Sequence, residues 1–269
     1  MGIERTFSGY MFRINESLFS IESDIDMIVE RSGMGKFYED IARGERPYYD
    51  EMVGNGEIVF LIMESSELRS ADAVRAHSVN PVHILIGFPK GDVQSQYSPL
   101  DRFVLVSPNR KLFRALYLDD LGNLDSVERK IYDKEFRIER FRQTLAHELS
   151  HWISDSLYGS HIKGLIDRAN KLGRADYMKL RKHDVNMTYF EIDALIHGIK
   201  ELRRGYTLEE WDALTFGDLM GLYSSMGVIE SRLRENYGEE VSLIWQRSMA
   251  KRMDREGLLG RGMRSLYRV

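Results

Sequence analysis

From Asp133 to Leu157 the chain contains neither proline nor glycine. Within that run Ile138, Phe141, Leu145, Leu149 and Trp152 recur at steps of 3, 4, 4 and 3. This spacing writes a single apolar stripe on an α-helix. A helix striped in this way must bury one face against a sheet or another helix, which commits the surrounding chain to a layered architecture. Gly159 marks the expected C-terminal stop. At about 100° per residue, His147 and His151 fall almost opposite the stripe, so core packing against that face does not account for them.

His147 and His151 belong to His147-Glu148-Leu149-Ser150-His151. Residues four apart stand one turn above each other on one helix face. Two imidazoles so placed can share one metal ion, and the carboxylate of Glu148 beside them can act as a general base. A catalytic zinc usually takes three protein ligands and keeps one position open. Asp155 continues the series, but it lies about 12 Å along the helix axis from His147, too far to share a metal with it. His161, after Gly159, can fold back and is one alternative. Further downstream, Ile192, Leu195, Ile199 and Leu202 define the buried face of a second helix. Glu191 sits at the edge of that face, with the small residues Ala194 and Gly198 beside it, while Asp193 and His197 point to the opposite side. A carboxylate on a packing face needs a partner, because an unpaired buried charge is costly. A metal held by His147, His151 and Glu191 supplies one. The competing assignment is a capping box, Thr188-x-x-Glu191, in which the Glu191 side chain reaches back to the helix start.

The His-Glu-x-x-His motif resembles that of the zincin superfamily of metallopeptidases. The metzincin branch would require Gly and His where this chain has Ser154 and Leu157. With Glu191 as third ligand the pattern resembles the gluzincins, and Glu191-Ile192-Asp193-Ala194 is similar to the Glu-x-(Glu/Asp)-Ala pattern of small bacterial and phage-encoded zincin-like proteins. The residue four after Glu191 is Leu195, where the thermolysin-like pattern has Asp, so the resemblance is to the broad class and covers two helical segments. It implies a Zn2+ ion on His147, His151 and Glu191, Glu148 as general base, and hydrolysis of a peptide or protein substrate at an amide bond. Tyr158 and Tyr189 are candidates to hydrogen-bond a developing oxyanion. The alternative is a non-catalytic protein of the same scaffold, such as a virion or assembly component, with zinc as a staple.

The rest of the chain agrees with an α+β class. Ser23–Arg43 reads as one or two helices interrupted near Gly33. Glu57–Met63, Val82–Phe88 and Arg102–Ser107 are β-branched or aromatic-rich runs bounded by turn residues, and Leu112–Tyr117 is a further candidate strand. Helices are expected over 133–157, 161–182, 188–203, 208–213, 216–236 and 239–256, the fourth opened by the capping box Thr207-x-x-Glu210. Strands first and helices afterwards indicate an α+β, zincin-like domain spanning 1–269: a helical extension over 1–50, a sheet region over 51–120, a metal-binding helical region over 130–240 and a basic tail over 241–269. Gly33-Met34-Gly35-Lys36 is not a phosphate loop, since Glu30 and Phe37 stand where a Gly and a Ser or Thr are required.

Composition excludes several classes. The 269 residues include no cysteine, so disulfides and thiolate metal sites are ruled out, and an intracellular, cytoplasmic or virion-associated setting is expected. The formal charge of −4 argues against general nucleic-acid binding. No apolar run is long enough for a membrane span or a signal peptide. The tail from Val241 to Val269 departs from the acidic balance, with Arg247, Lys251, Arg252, Arg255, Arg261, Arg264 and Arg268 against Asp254 and Glu256. It is either a solvated face or a dock for an acidic partner.

Overall fold

The computed structural model describes residues 21–43, 58–68, 81–88, 95–98, 101–107, 137–171, 191–192 and 194–267. Two helices come first, α1 (Glu22–Ser32) and α2 (Met34–Ala42). Gly33 separates them in the left-handed region, at φ 67°, where only glycine is free of strain. The glycine that faintly suggested a phosphate loop is therefore a helix stop.

Four strands follow: β1 (Ile58–Glu64), β2 (His83–Phe88), β3 (Gln96–Ser98) and β4 (Phe103–Val106). They form one sheet in the order β1-β2-β4-β3. β1 and β2 are antiparallel, β2 and β4 parallel, and β3 returns antiparallel to β4 as the outermost strand among the described residues. Side chains alternate across a strand, and the pairings Ile84↔Val104 and Ile86↔Val106 put four β-branched residues on one face. All four are buried. The stripe of the long helix α3 (Ile138–Lys171) packs into the same cluster, with Phe141, Leu145, Leu149 and Trp152 each at most 3% exposed. β3 is too short and too polar to announce itself in the sequence. The expected strand at Leu112–Tyr117 lies outside the described residues.

The helical remainder begins with α4 (191–192 and 194–203) and continues through α5 (Leu208–Ala213), α6 (Phe216–Leu222), α7 (Ser224–Tyr237) and α8 (Glu239–Arg255) to a 3-10 turn at Arg261–Tyr267. The Thr207–Glu210 capping box is formed as expected, and Thr215 with Asp218 makes a second. These helices enclose a separate apolar cluster, into which α4 turns Ile192, Leu195, Ile199 and Leu202. Met226, Met249, Met253 and Met263 are fully buried there, as expected of flexible gap-fillers.

Two helix boundaries differ from expectation. α3 does not stop at Gly159 but runs on to Lys171. An interior glycine costs about 1 kcal/mol relative to alanine, a smaller penalty than nucleating a new helix. The expected single helix over 216–236 is broken at Tyr223, whose φ of −112° and ψ of 89° are not helical. His197 is half-buried, and its Nδ1 is enclosed, in a stretch of α4 where Ala194, Ile196 and Glu201 are each 1% exposed.

Candidate metal centre

α3 joins the two apolar clusters. One face lies on the sheet, and the opposite face carries His147 and His151 towards the start of α4. One helical turn sets the two imidazoles edge to face, with ring centres 4.5 Å apart. Their Nε2 atoms are 3.0 Å apart. Glu191, at the first described position of α4, places Oε2 3.4 Å from His147 Nε2 and 3.3 Å from His151 Nε2. Ligands about 2.0–2.1 Å from a tetrahedral zinc stand roughly 3.3 Å from one another, so the triangle matches a shared ion. Two neutral imidazoles and a carboxylate are an oxygen–nitrogen donor set suited to borderline divalent metals. Among the described residues this trio can hold a metal ion.

Electrostatics bind the trio together. Burial disfavours the charged carboxylate of Glu191, but hydrogen bonds from His147 and His151 outweigh this and hold it well below the ordinary range. Burial likewise opposes charging His151, while the Glu191 hydrogen bond and charge pull its pKa above 6.5. Without a metal, the protonation of His151 is therefore tied to the charge on Glu191.

Glu148 is buried, at 8% exposure. Burial raises its pKa, against the two imidazoles and a hydrogen bond from the Tyr97 backbone N–H. Tyr97 is the central residue of β3, so that strand lies directly beside the prospective base. The Tyr97 hydroxyl also donates to Asp155 Oδ2 at 2.7 Å, tying β3 to α3 a second time. Asp155 thus sits outside the metal group, where the helical rise put it.

On the far side of His147, the Tyr223 hydroxyl lies 2.8 Å from Nδ1. Tyr223 is 2% exposed, and burial raises its phenol well above the usual value, keeping it neutral. Neither Tyr97 nor Tyr223 stands out in the sequence. The nearest signal is Gly198, read as a small residue permitting close helix approach. What approaches it is the Tyr223 ring: a Cβ at Gly198 would lie 2.4 Å from that hydroxyl.

Three of the sequence candidates, His147, His151 and Glu191, converge, with Glu148 alongside. The continuous helix sets Tyr158 two turns beyond His151, about 10 Å along the axis, and His161 about 15 Å along it. Thr188 and Tyr189 lie outside the described residues. In the C-terminal region Arg252 pairs with Glu256, Arg261 with Asp212 and Arg264 with Asp254, so part of its positive charge is balanced internally. No described helix is long and apolar enough to cross a membrane. Comparison with protein-family models, curated proteins and solved structures finds no match.

Proposed function

We propose that the chain is a zinc-dependent metallopeptidase of the zincin type, with His147, His151 and Glu191 as ligands and Glu148 as general base. One observation carries this reading. Three ligand atoms meet at 3.0–3.4 Å while the neighbouring Glu148 takes no part in the trio. A bound zinc would supply Lewis-acid polarisation of the scissile carbonyl and lower the pKa of a water ligand towards about 7. The Glu148 carboxylate would take a proton from the attacking water and deliver it to the departing amine nitrogen. Its buried setting and raised pKa suit a group that must both accept and release a proton. β3 is the outermost strand among the described residues, and its Tyr97 amide places it beside Glu148, where an extended peptide would run along it. Tyr189 is the proposed donor to the developing oxyanion.

A second reading has its own observation. The ligands come from α3 and α4, whose apolar faces belong to different clusters, so a metal there would also staple the two. A non-catalytic scaffold, as in an assembly protein, would need only that. Glu148→Gln separates the readings, because it preserves shape and every ligand. The peptidase reading expects one zinc per chain in wild type and in Glu148→Gln, with turnover of a peptide library falling by about 10²-fold or more in the variant. It expects no zinc in His147→Ala/His151→Ala. Full zinc retention in the double variant would sink the metal site. Equal turnover in wild type and Glu148→Gln would sink the mechanism and leave the site.

A further inference from the structure

Tyr223 is a buried polar side chain in contact with the metal group that the proposed reaction does not use. Its hydroxyl meets Nδ1 of His147, the ring nitrogen opposite the one that faces His151 and Glu191. Three separate features of the chain hold it there. The helical run breaks at this residue, which stands between α6 and α7. Arg140, two turns before His147 on the same helix, donates from Nη1 to the carbonyl of Leu222 at 3.2 Å, and so ties the break to α3. Gly198 leaves the space for the phenol: any Cβ there would lie 2.4 Å from the hydroxyl oxygen and 2.8 Å from the adjoining ring carbon.

A neutral imidazole carries one N–H, and the other nitrogen offers the lone pair that a metal needs. If the hydrogen sits on Nε2 of His147, that nitrogen cannot bind a metal. We propose that Tyr223 is the positioning residue of the metal site: its hydroxyl oxygen accepts the Nδ1–H of His147, which fixes the ring's orientation and leaves Nε2 as the ligand atom. This inference rests on the metal-binding reading of His147, His151 and Glu191. A partner on the outer nitrogen of a ligating histidine sets its tautomer and basicity. A phenol differs from the carboxylate or carbonyl more usual in that place. It accepts from Nδ1–H when a metal is held and, by rotating its hydrogen, donates to Nδ1 when the ligand nitrogen is protonated. Gly198 is then a residue of the metal site without touching it, since alanine there would push the hydroxyl off His147.

The test is metal binding by the full chain. Zn2+ affinity is measured by competition with a chromophoric chelator, the visible spectrum of the Co2+-loaded protein reports ligand geometry, and thermal midpoints are taken without metal. Tyr223→Phe removes only the hydroxyl, and Tyr206→Phe, made in a tyrosine packed on Trp211, is the control. The expected result is about a 10–100-fold loss of Zn2+ affinity and an altered Co2+ spectrum in Tyr223→Phe. Its metal-free midpoint should fall by about 2–4 °C, the loss of one buried hydrogen bond, and Tyr206→Phe should bind as wild type does. Gly198→Ala should lose affinity in the same direction. Wild-type affinity and spectrum in Tyr223→Phe would overturn the inference while leaving the metal site intact. So would a lowered metal-free midpoint with an unchanged Co2+ spectrum, which is the mark of a merely structural tyrosine. Failure of the wild-type chain to bind any metal would instead remove the site itself.

Discussion

His151 holds a proton more tightly than an ordinary histidine. Burial alone would do the reverse, so the cause is the Glu191 carboxylate hydrogen-bonded to it. A metal and a proton compete for the same Nε2, and ligating imidazoles must be neutral. The sign follows. As pH falls through a folded-state pKa above 6.5, protonated His151 must release its proton before metal enters, and apparent affinity drops. Isothermal titration with Zn2+ in buffers of different ionisation enthalpy should show proton release near neutral pH, and the protons released per zinc bound should fall in Glu191→Gln, whose amide no longer raises His151. Release unchanged in that variant would mean the carboxylate is not the controlling partner. At this scale the sequence was most legible. His147 and His151 are legible in the His-Glu-x-x-His spacing, and Glu191 in its place at the edge of an apolar stripe. Tyr223 was not, because its role depends on a helix break and a distant glycine, which leave no local pattern.

At the scale of elements, α3 and α4 are held in register by more than apolar contact. Arg142 on α3 donates from Nε to Glu201 Oε2 at 2.6 Å and reaches Asp26 on α1 with its other end. Arg204 adds contacts to Asp26 and Glu201. Glu201 is 1% exposed, so removing Arg142 would leave this buried charge only the 3.4 Å contact to half-exposed Arg204. Losing one member of such a pair costs about 3–5 kcal/mol, while replacing both with apolar groups of similar volume is often close to neutral. Arg142→Met should accordingly lower stability by about 3–5 kcal/mol in urea denaturation, and Arg142→Met/Glu201→Leu should recover much of that loss. Equal loss in single and double variants would show that the pair is not coupled. This strut was invisible in the sequence, since Arg142 and Glu201 are ordinary charged helix residues 59 positions apart. The strands and capping boxes were legible because their signals are local. β3 was not, because three residues are too few for a period to show.

Over the whole molecule, a sheet cluster and a helix cluster meet along α3, and polar groups trapped between packed helices tie stability to pH. His197 is the clearest of them. Burial and the nearby charge of Lys200 push its pKa down to about 4, with Arg252 acting in the same direction and Glu22 and Glu256 opposing. Its Nδ1 has no hydrogen-bond partner among the described residues. An unfolded histidine titrates at 6.5, so the unfolded chain takes up a proton first as pH falls. The stability lent by the neutral folded form is complete above 6.5 and is lost progressively down to about 4. Integrated to about pH 4.5, the loss is about 2–3 kcal/mol. The Glu191–His151 pair has the opposite sign in the metal-free chain: its contribution is present below 6.5 and fades as pH rises through the raised folded value. The two terms belong to different residues, so substitution separates them in the metal-free chain. Urea unfolding of the metal-free chain should be compared at neutral pH and at about pH 4.5, against His197→Gln, which cannot titrate. The variant's stability difference between the two conditions should be smaller by about 2–3 kcal/mol, whatever its stability at neutral pH. An equal difference in both proteins would place the acid-sensitive group elsewhere and remove His197 from the account.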